Sequence, residues 1–505
     1  MRTWDLALPV DRDDAAPVVA QLAQAISSHI AAGRLRPGER LPGSRDLSRI
    51  VRVHRNTVVA AYAELAAEGW VDTSPSRGTF VSREIPAALR SRAAARGAHA
   101  VRAPGYPIEP GPAPRARLPR SPGALVLGGG VPDLRLVPIA ALARAYRRAL
   151  RRPAILDYGE PAGEERLRAA IGAMLGSTRG LDPDPARLLV TRGSQLALTL
   201  AARALVRPGD VVAVEALGYR SAWEAFRAAG ARLVPVPVDE SGLRVDALEA
   251  LTRREKIRAL HLTPHHQYPT TATLPAGRRL ALLRLAAAER IAIVEDDYDG
   301  DFHYDGRPVL PLASNDPAGV VIYVGTFSKV LAPALRVGYV HAPAEVVSRL
   351  AEHRRYVDGQ GDRVMELALA ELLEDGEVQQ HVWRMRRAYA ARRDALAAEL
   401  RETFGDALRF EVPAGGMALW CLTAPDVDVD RWAAAACERG VVFEPGSEFA
   451  FDGAPRAALR VGFARLAEQE LREGVRRMAA ALPAALAGAR SGRPASRPTA
   501  RPRRT

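Results

Sequence analysis

Lysine is nearly absent from this chain. Of 71 basic residues only Lys256 and Lys329 are lysine, and the other 69 are arginine. A sequence so biased keeps a lysine where a guanidinium cannot substitute, and imine formation is such a case because it needs an amine that can lose its proton. Lys256 lies in the polar run TRREKIR and reads as a leftover surface charge. Cysteine is almost missing too, with only Cys421 and Cys437, which excludes a disulfide scaffold. No run approaches 18 uninterrupted apolar residues, so no membrane span is expected. The N-terminus MRTWDLALPVDRDD has no apolar signal core. Together these absences favour a reduced cytoplasm.

What is present bounds the architecture. At 505 residues with 48% hydrophobic and 26% charged residues, the chain reads as globular, with two or more domains, one of them large. Its net charge of +13 is localised: residues 83–120 and residues 490–505 carry +6 each, which leaves +1 for the remainder. Any nucleic-acid affinity of the ordered parts must then come from local placement, with the two basic stretches adding a salt-sensitive, sequence-independent term.

Residues 11–82 form the first expected domain. PVVAQLAQAISSHIAAG has helical apolar spacing and stops at Gly33. A turn-rich run follows, with Ser44 as the N-cap of a short second helix and a third helix ending near Gly69. WVDTSPSRGTFVS closes as a hairpin with Arg77 and Gly78 at its tip. Tyr62, Leu65 and Trp70 share a face and read as core. Three helices and a hairpin suit a winged helix-turn-helix whose recognition helix begins at His54, Arg55, Asn56 and Thr57. The run PGERLPGSRDLS…HRNTVVAAYAELAAEGWV…RGTFV resembles the GntR-type winged helix. That resemblance implies that Arg45, His54, Arg55, Asn56, Thr57 and the wing residues Arg77 and Gly78 meet operator DNA. Gly43 and His54 depart from the usual serine and small residue.

Residues 83–124 are alanine, proline and arginine with few large apolar side chains, a composition expected to stay a flexible tether, with a short helix at IPAALRSRAAA as an option. Residues 125–485 then alternate strand and helix patterns as a parallel α/β sheet requires. VVIYVG reads as a buried strand with TFSK, and hence Lys329, at its carboxyl end; IAIV is a second strand, followed by Glu295, Asp296, Asp297 and Tyr298. A carboxylate and a lysine at neighbouring strand ends suit a pyridoxal phosphate site, although the acids alone suit an acidic loop or a metal site equally well. The basic tail, residues 486–505, reads as disordered.

The order EDDYD, TFSK, Arg336 resembles the fold type I aminotransferases, and the form EDDYDGDFHY resembles the MocR branch, regulators that fuse a winged helix to an aminotransferase-like domain. The resemblance implies pyridoxal phosphate held as an imine on Lys329, with Asp296 at the pyridinium nitrogen, Tyr298 at the ring hydroxyl and Tyr219 stacked on the ring. Ser194 and Gln195 at a helix N-terminus, with Thr326, Ser328 and a buried Arg336, would form a phosphate cup. Tyr158 would reach the cofactor of a partner subunit, which implies a homodimer, and Arg460 would grip an effector carboxylate. In the segment HQYPTT, Tyr268 stands where catalytic relatives carry asparagine, Thr271 replaces a glycine and His265 a small residue. The expected function is a transcriptional regulator responding to pyridoxal phosphate or an amino acid, with no metal. Two rivals stand: a working aminotransferase with an appended DNA-binding module, and a DNA-binding protein whose second domain has lost the cofactor.

Overall fold

The computed structural model describes residues 16–74, 78–84, 122–306 and 309–486, with Leu8, Val10, Asp11, Tyr106 and Pro107 in addition. The expected wing residue Arg77, most of the tether with its optional helix, and the basic tail lie outside the described residues. The chain divides into two compact units, residues 1–115 and 116–505.

In the first unit α1 spans Val18–Ala31, α2 Ser44–Val51 and α3 Arg55–Ala67, followed by the hairpin of β1 (Val71–Ser74) and β2 (Gly78–Val81). Leu22, Ile26, Leu47, Val58, Leu65 and Val81 are fully buried between them, and Tyr62 and Trp70 join this core as their spacing predicts. The Tyr62 hydroxyl, donating to the Pro42 carbonyl at 2.8 Å, ties α3 to the turn before α2. Two details differ from the sequence reading. Ser44 is the first residue of α2 rather than its cap; Gly43 takes the cap position, without a side-chain bond. His54 caps α3, its Nδ1 accepting from the Asn56 backbone N–H at 3.3 Å. An imidazole nitrogen here does what serine or aspartate usually does at a helix start.

The second unit is built on a seven-stranded sheet: β3 (Leu188–Thr191), β4 (Val211–Glu215), β5 (Arg232–Val236), β6 (Ile257–Leu262), β7 (Ala292–Asp297), β8 (Val321–Thr326) and β9 (Gly338–His341), in spatial order β3-β9-β8-β7-β6-β4-β5. Six strands are parallel, but β9 runs antiparallel to both neighbours, so the sheet is mixed rather than parallel. The reason is connection length. Only residues 327–337, with no α-helix, separate β8 from β9, and a parallel return needs a crossover of a dozen or more residues.

Helices cover the sheet, among them α4 (Ser194–Leu205) and α5 (Arg220–Ala228), which pack Leu198, Ala201, Trp223 and Phe226 against it. A smaller antiparallel sheet follows, β10 (Leu408–Arg409), β11 (Ala418–Thr423), β12 (Glu444–Pro445) and β13 (Ala458–Gly462), in order β10-β11-β13-β12. Its core gathers Leu419, Cys421, Leu459, Val461 and Phe463 with Tyr389 and Leu396 of the 28-residue helix Glu377–Phe404. Among the described residues no helix is long and apolar enough to cross a membrane.

Candidate functional site

The carboxyl ends of β7 and β8 lie side by side in register, with Asp296 opposite Val324 and Asp297 opposite Gly325. β7 runs on through the acidic residues instead of stopping before them, and strand alternation then separates their roles. Glu295 and Asp297 turn away into the scaffold. The Glu295 carboxylate accepts from the backbone N–H groups of Leu312 at 2.8 Å and Ala313 at 3.0 Å, and burial pushes its acid up to about 7. Asp297 accepts from the Tyr323 hydroxyl and from the Gly300 N–H, and its Oδ2 lies 3.5 Å from Arg179 Nε. Of the three, Asp296 faces the site. Its Oδ2 lies 3.6 Å from His261 Nε2, and its buried Oδ1 has no hydrogen-bond partner.

Lys329 follows β8 by three residues. Burial, with the positive charge of Arg460 beyond it, holds its ammonium below the ordinary range, the direction that frees an amine for nucleophilic use. A Cβ on Gly130 would stand 3.4 Å from Lys329 Nζ, and one on Gly129 would overlap the Arg460 guanidinium at 1.6 Å from Nη1. Gly129 therefore lets the backbone pass where a side chain would displace Arg460.

Tyr298 leads out of β7, and its hydroxyl is buried without a partner. Burial raises it far above the ordinary phenol range, so it stays a protonated donor. Tyr268 is the hub of an aromatic cluster, edge-on to Tyr219 at 5.7 Å, Tyr298 at 5.6 Å and Phe449 at 5.3 Å. The Arg460 guanidinium lies 4.6 Å from its ring centroid. Arg460 is fully buried, and none of its three guanidinium nitrogens has a hydrogen-bond partner; Glu444 Oε2 is 3.6 Å from Nη1, an ionic contact only. Burial opposes its charge, but the neighbouring Tyr268, Tyr298 and Glu444 oxygens outweigh burial and hold it protonated.

A second cluster lies where β3, β9 and β8 end together, since Gly338 pairs with Thr191 on one side and Thr326 on the other. Gly193, at φ +80°, caps α4, and Ser194 opens it. The Thr326 hydroxyl donates to Ser328 Oγ at 3.0 Å and accepts from the Ser328 N–H at 3.1 Å. Arg336 lies against the same helix start: a Cβ on Gly193 would meet its Nη2 at 2.6 Å, and Nη2 donates to the Arg192 carbonyl at 2.9 Å. It is exposed in this chain, not buried as the apolar sequence around it suggested; its backbone is left-handed at φ +51°, which turns the residue outward from the strand that follows. Gln195 donates to the Ser221 carbonyl at 2.9 Å, linking α4 to α5, while its Oε1 is buried without a partner.

Tyr158 joins neither cluster and is 92% exposed. In the first unit Arg45, His54, Arg55 and Asn56 are exposed and Thr57 is half-buried, with Arg55 Nε donating to Ser44 Oγ at 3.3 Å. Gly78 has φ +103°, and the Arg40 side chain lies 3.4 Å from where a Cβ would be. Sequence reading missed His261, Glu444 and the role of Gly129. Only the triple glycine carried a signal for any of them.

Pyridoxal phosphate needs an amine for its aldehyde, an acid at its ring nitrogen, a donor at its ring oxygen and an anion cradle. Lys329, Asp296 Oδ1, Tyr298 and the amides at the start of α4 are of the right chemistry, and the buried polar atoms of Asp296 and Tyr298 lack partners among the described residues, so the residues fit the group.

Residues 19–81 match the bacterial regulatory proteins of the gntR family, and residues 123–478 match the class I and II aminotransferases. The chain is 33% identical over 479 residues to the "Probable rhizopine catabolism regulatory protein MocR" of Rhizobium meliloti, covering 94% of this chain and 95% of that one. It is 31% identical over 463 residues to the "HTH-type pyridoxine biosynthesis transcriptional regulator PdxR" of Corynebacterium glutamicum, covering 88% and 95%. Among solved structures, the α-aminoadipate aminotransferase LysN of Thermus thermophilus, complexed with N-(5'-phosphopyridoxyl)-L-leucine, superposes with a TM-score of 0.67 at 32% identity, covering 73% of this chain and 93% of that one.

Proposed function

Because this chain belongs to the MocR-type regulators, HTH-type transcription factors that join a GntR winged helix to a class I and II aminotransferase domain, we propose that it senses an amino acid at the cofactor site centred on Lys329. Pyridoxal phosphate is its cofactor, and when bound supplies an aldehyde for amines and an electron sink for what is attached there. Lys329 would anchor that aldehyde, Asp296 Oδ1 would keep a proton on the ring nitrogen, and Tyr298 would donate to the ring oxygen. Ser194 and the amides at the start of α4, with Thr326, Ser328 and Arg336, would hold the phosphate. Tyr219 would lie against the ring, and Arg460 would bind the carboxylate of the arriving amino acid. Tyr158 reaches the cofactor of a second subunit, so the working unit is a homodimer.

The observation that carries this reading is the set of buried, unpartnered polar atoms around Lys329: Asp296 Oδ1, Tyr298 Oη and the three nitrogens of Arg460. Each such atom costs about 1–3 kcal/mol if left unmet, and a scaffold that had lost its ligand would gain by replacing them. Arg45, His54, Arg55, Asn56, Thr57 and Arg77 touch the operator, and Gly78 lets the wing approach the DNA backbone. The effector acts by binding the DNA-competent and incompetent arrangements with different affinity.

The test is the absorption spectrum of the purified protein titrated with pyridoxal phosphate. A visible band in the wild type that is missing from Lys329→Ala is the expected result. A wild type that shows no band with excess cofactor overturns the reading. DNA fragments selected by the full-length protein should then change affinity when the amino acid that perturbs the band is added.

A further inference from the structure

Glu444, the first residue of β12, and Arg460, in the middle of β13, are cross-strand partners, and they differ in one respect that matters for a ligand. Arg460 is completely buried, whereas the Glu444 side chain is 32% exposed, so Glu444 is the solvent-facing member of the pair. Its carboxylate is fixed in place by the Gly129 N–H, which donates to Oε2 at 3.0 Å, and it stands 3.6 Å from Arg460 Nη1. That separation is too long for a hydrogen bond. Glu444 therefore balances the guanidinium electrostatically while leaving its donors available, and it retains acceptor capacity of its own at Oε1.

Resting on the cofactor reading above, we propose that Glu444 sets the charge selectivity of the effector pocket: it admits amino acids with a single carboxylate whose side chain ends in a neutral hydrogen-bond donor, and it turns away dicarboxylic ones. A carboxylate bound to Arg460 already shares its surroundings with Glu444. A second ligand carboxylate beside Glu444 adds a like charge, a repulsion that the partial exposure of Glu444 weakens but does not remove. An amide or hydroxyl in the same place meets an acceptor. The pairing also gives the free protein a reason to carry an acid here, since an uncompensated buried guanidinium is costly. A purely structural role would satisfy that need without discriminating between ligands of equal shape.

L-Glutamine and L-glutamate are such a pair. With the full chain loaded with pyridoxal phosphate, each is titrated while following the cofactor band and, separately, the heat of binding. Wild type should prefer glutamine by about tenfold or more. Glu444→Gln keeps an acceptor for the Gly129 N–H and removes the charge; it should bring the two ligands within about threefold, chiefly by tightening glutamate. Glu444→Asp, which keeps the charge, should retain the preference. An unchanged ratio in Glu444→Gln, a wild type that binds both equally, or no response to either ligand overturns the proposal. Failure of the cofactor reading is distinguishable, because then no band forms before any amino acid is added, and both ideas fall together.

Discussion

Glu295, Asp296 and Asp297 are adjacent and chemically alike, yet only Asp296 faces the site, because strand alternation turns its neighbours toward backbone amides and toward Arg179. A fourth acid, Glu215, makes the energetic consequence measurable. Its Oε2 accepts from the Thr263 N–H at 3.1 Å and hydroxyl at 2.9 Å, and burial pushes it up to about 8. Its folded value lies above its unfolded one, so stability is full below the unfolded value and is lost as pH rises through the folded one. His265 has the opposite sign, pushed down to about 3 by burial, and its stabilisation grows only until the unfolded imidazole has lost its proton near pH 6.5. Above that, Glu215 acts without this opposition. Glu215 alone should cost about 2 kcal/mol of stability between pH 6.5 and 8, with Glu295 adding to the loss below about pH 7, and Glu215→Gln should reduce that slope in denaturant melts. A slope unchanged in the variant would refute the assignment.

Two local elements depart from what their residue types favour, and each carries a prediction. Thr271 sits at φ +63°, where a β-branched residue is strained, in the position that resembles a family glycine. Thr271→Gly should raise stability by about 1 kcal/mol, seen as a higher denaturant midpoint at unchanged slope; a lower midpoint would show that the Thr271 side chain contributes more than its backbone costs. His54 caps α3 through Nδ1. His54→Ala should weaken the start of α3 by about 1 kcal/mol, read as faster hydrogen exchange at its first amides, while His54→Asn should restore protection. The three helices of the first unit, its core and its hairpin were all legible, because periodicity and Gly/Pro punctuation are local signals. The capping atoms were not, since Gly43 instead of Ser44 caps α2 and His54 caps α3 through geometry that only the folded turns define. The antiparallel β9 was likewise hidden: its apolar residues would serve either direction, and the short connection after Lys329 decided it.

At the scale of the molecule, the exposed Tyr158 is the residue that the proposed homodimer would use across its interface. Tyr158→Phe should weaken cofactor binding by about tenfold, the loss of one hydrogen bond to a charged group, without lowering stability. Mixing Tyr158→Phe subunits with Lys329→Ala subunits should recover full-affinity sites, because a mixed dimer pairs an intact Lys329 with an intact Tyr158 across the interface. Mixtures that behave as the sum of the two variants would place Tyr158 outside the site.

The sequence by itself determined the two-unit plan, the two strands whose carboxyl ends bring Asp296 and Lys329 together, and the pairing of a scarce lysine with a carboxylate, since these depend on local periodicity and on residue chemistry that has no substitute. Only the tertiary structure decided which of Glu295, Asp296 and Asp297 faces inward, that Arg336 is exposed beside Gly193, that Gly129 makes room for Arg460, and that Glu444 pairs with that arginine. Those outcomes depend on contacts between segments far apart in the chain, Gly129 with Glu444 and Gly193 with Arg336, and no local pattern encodes a distance between them.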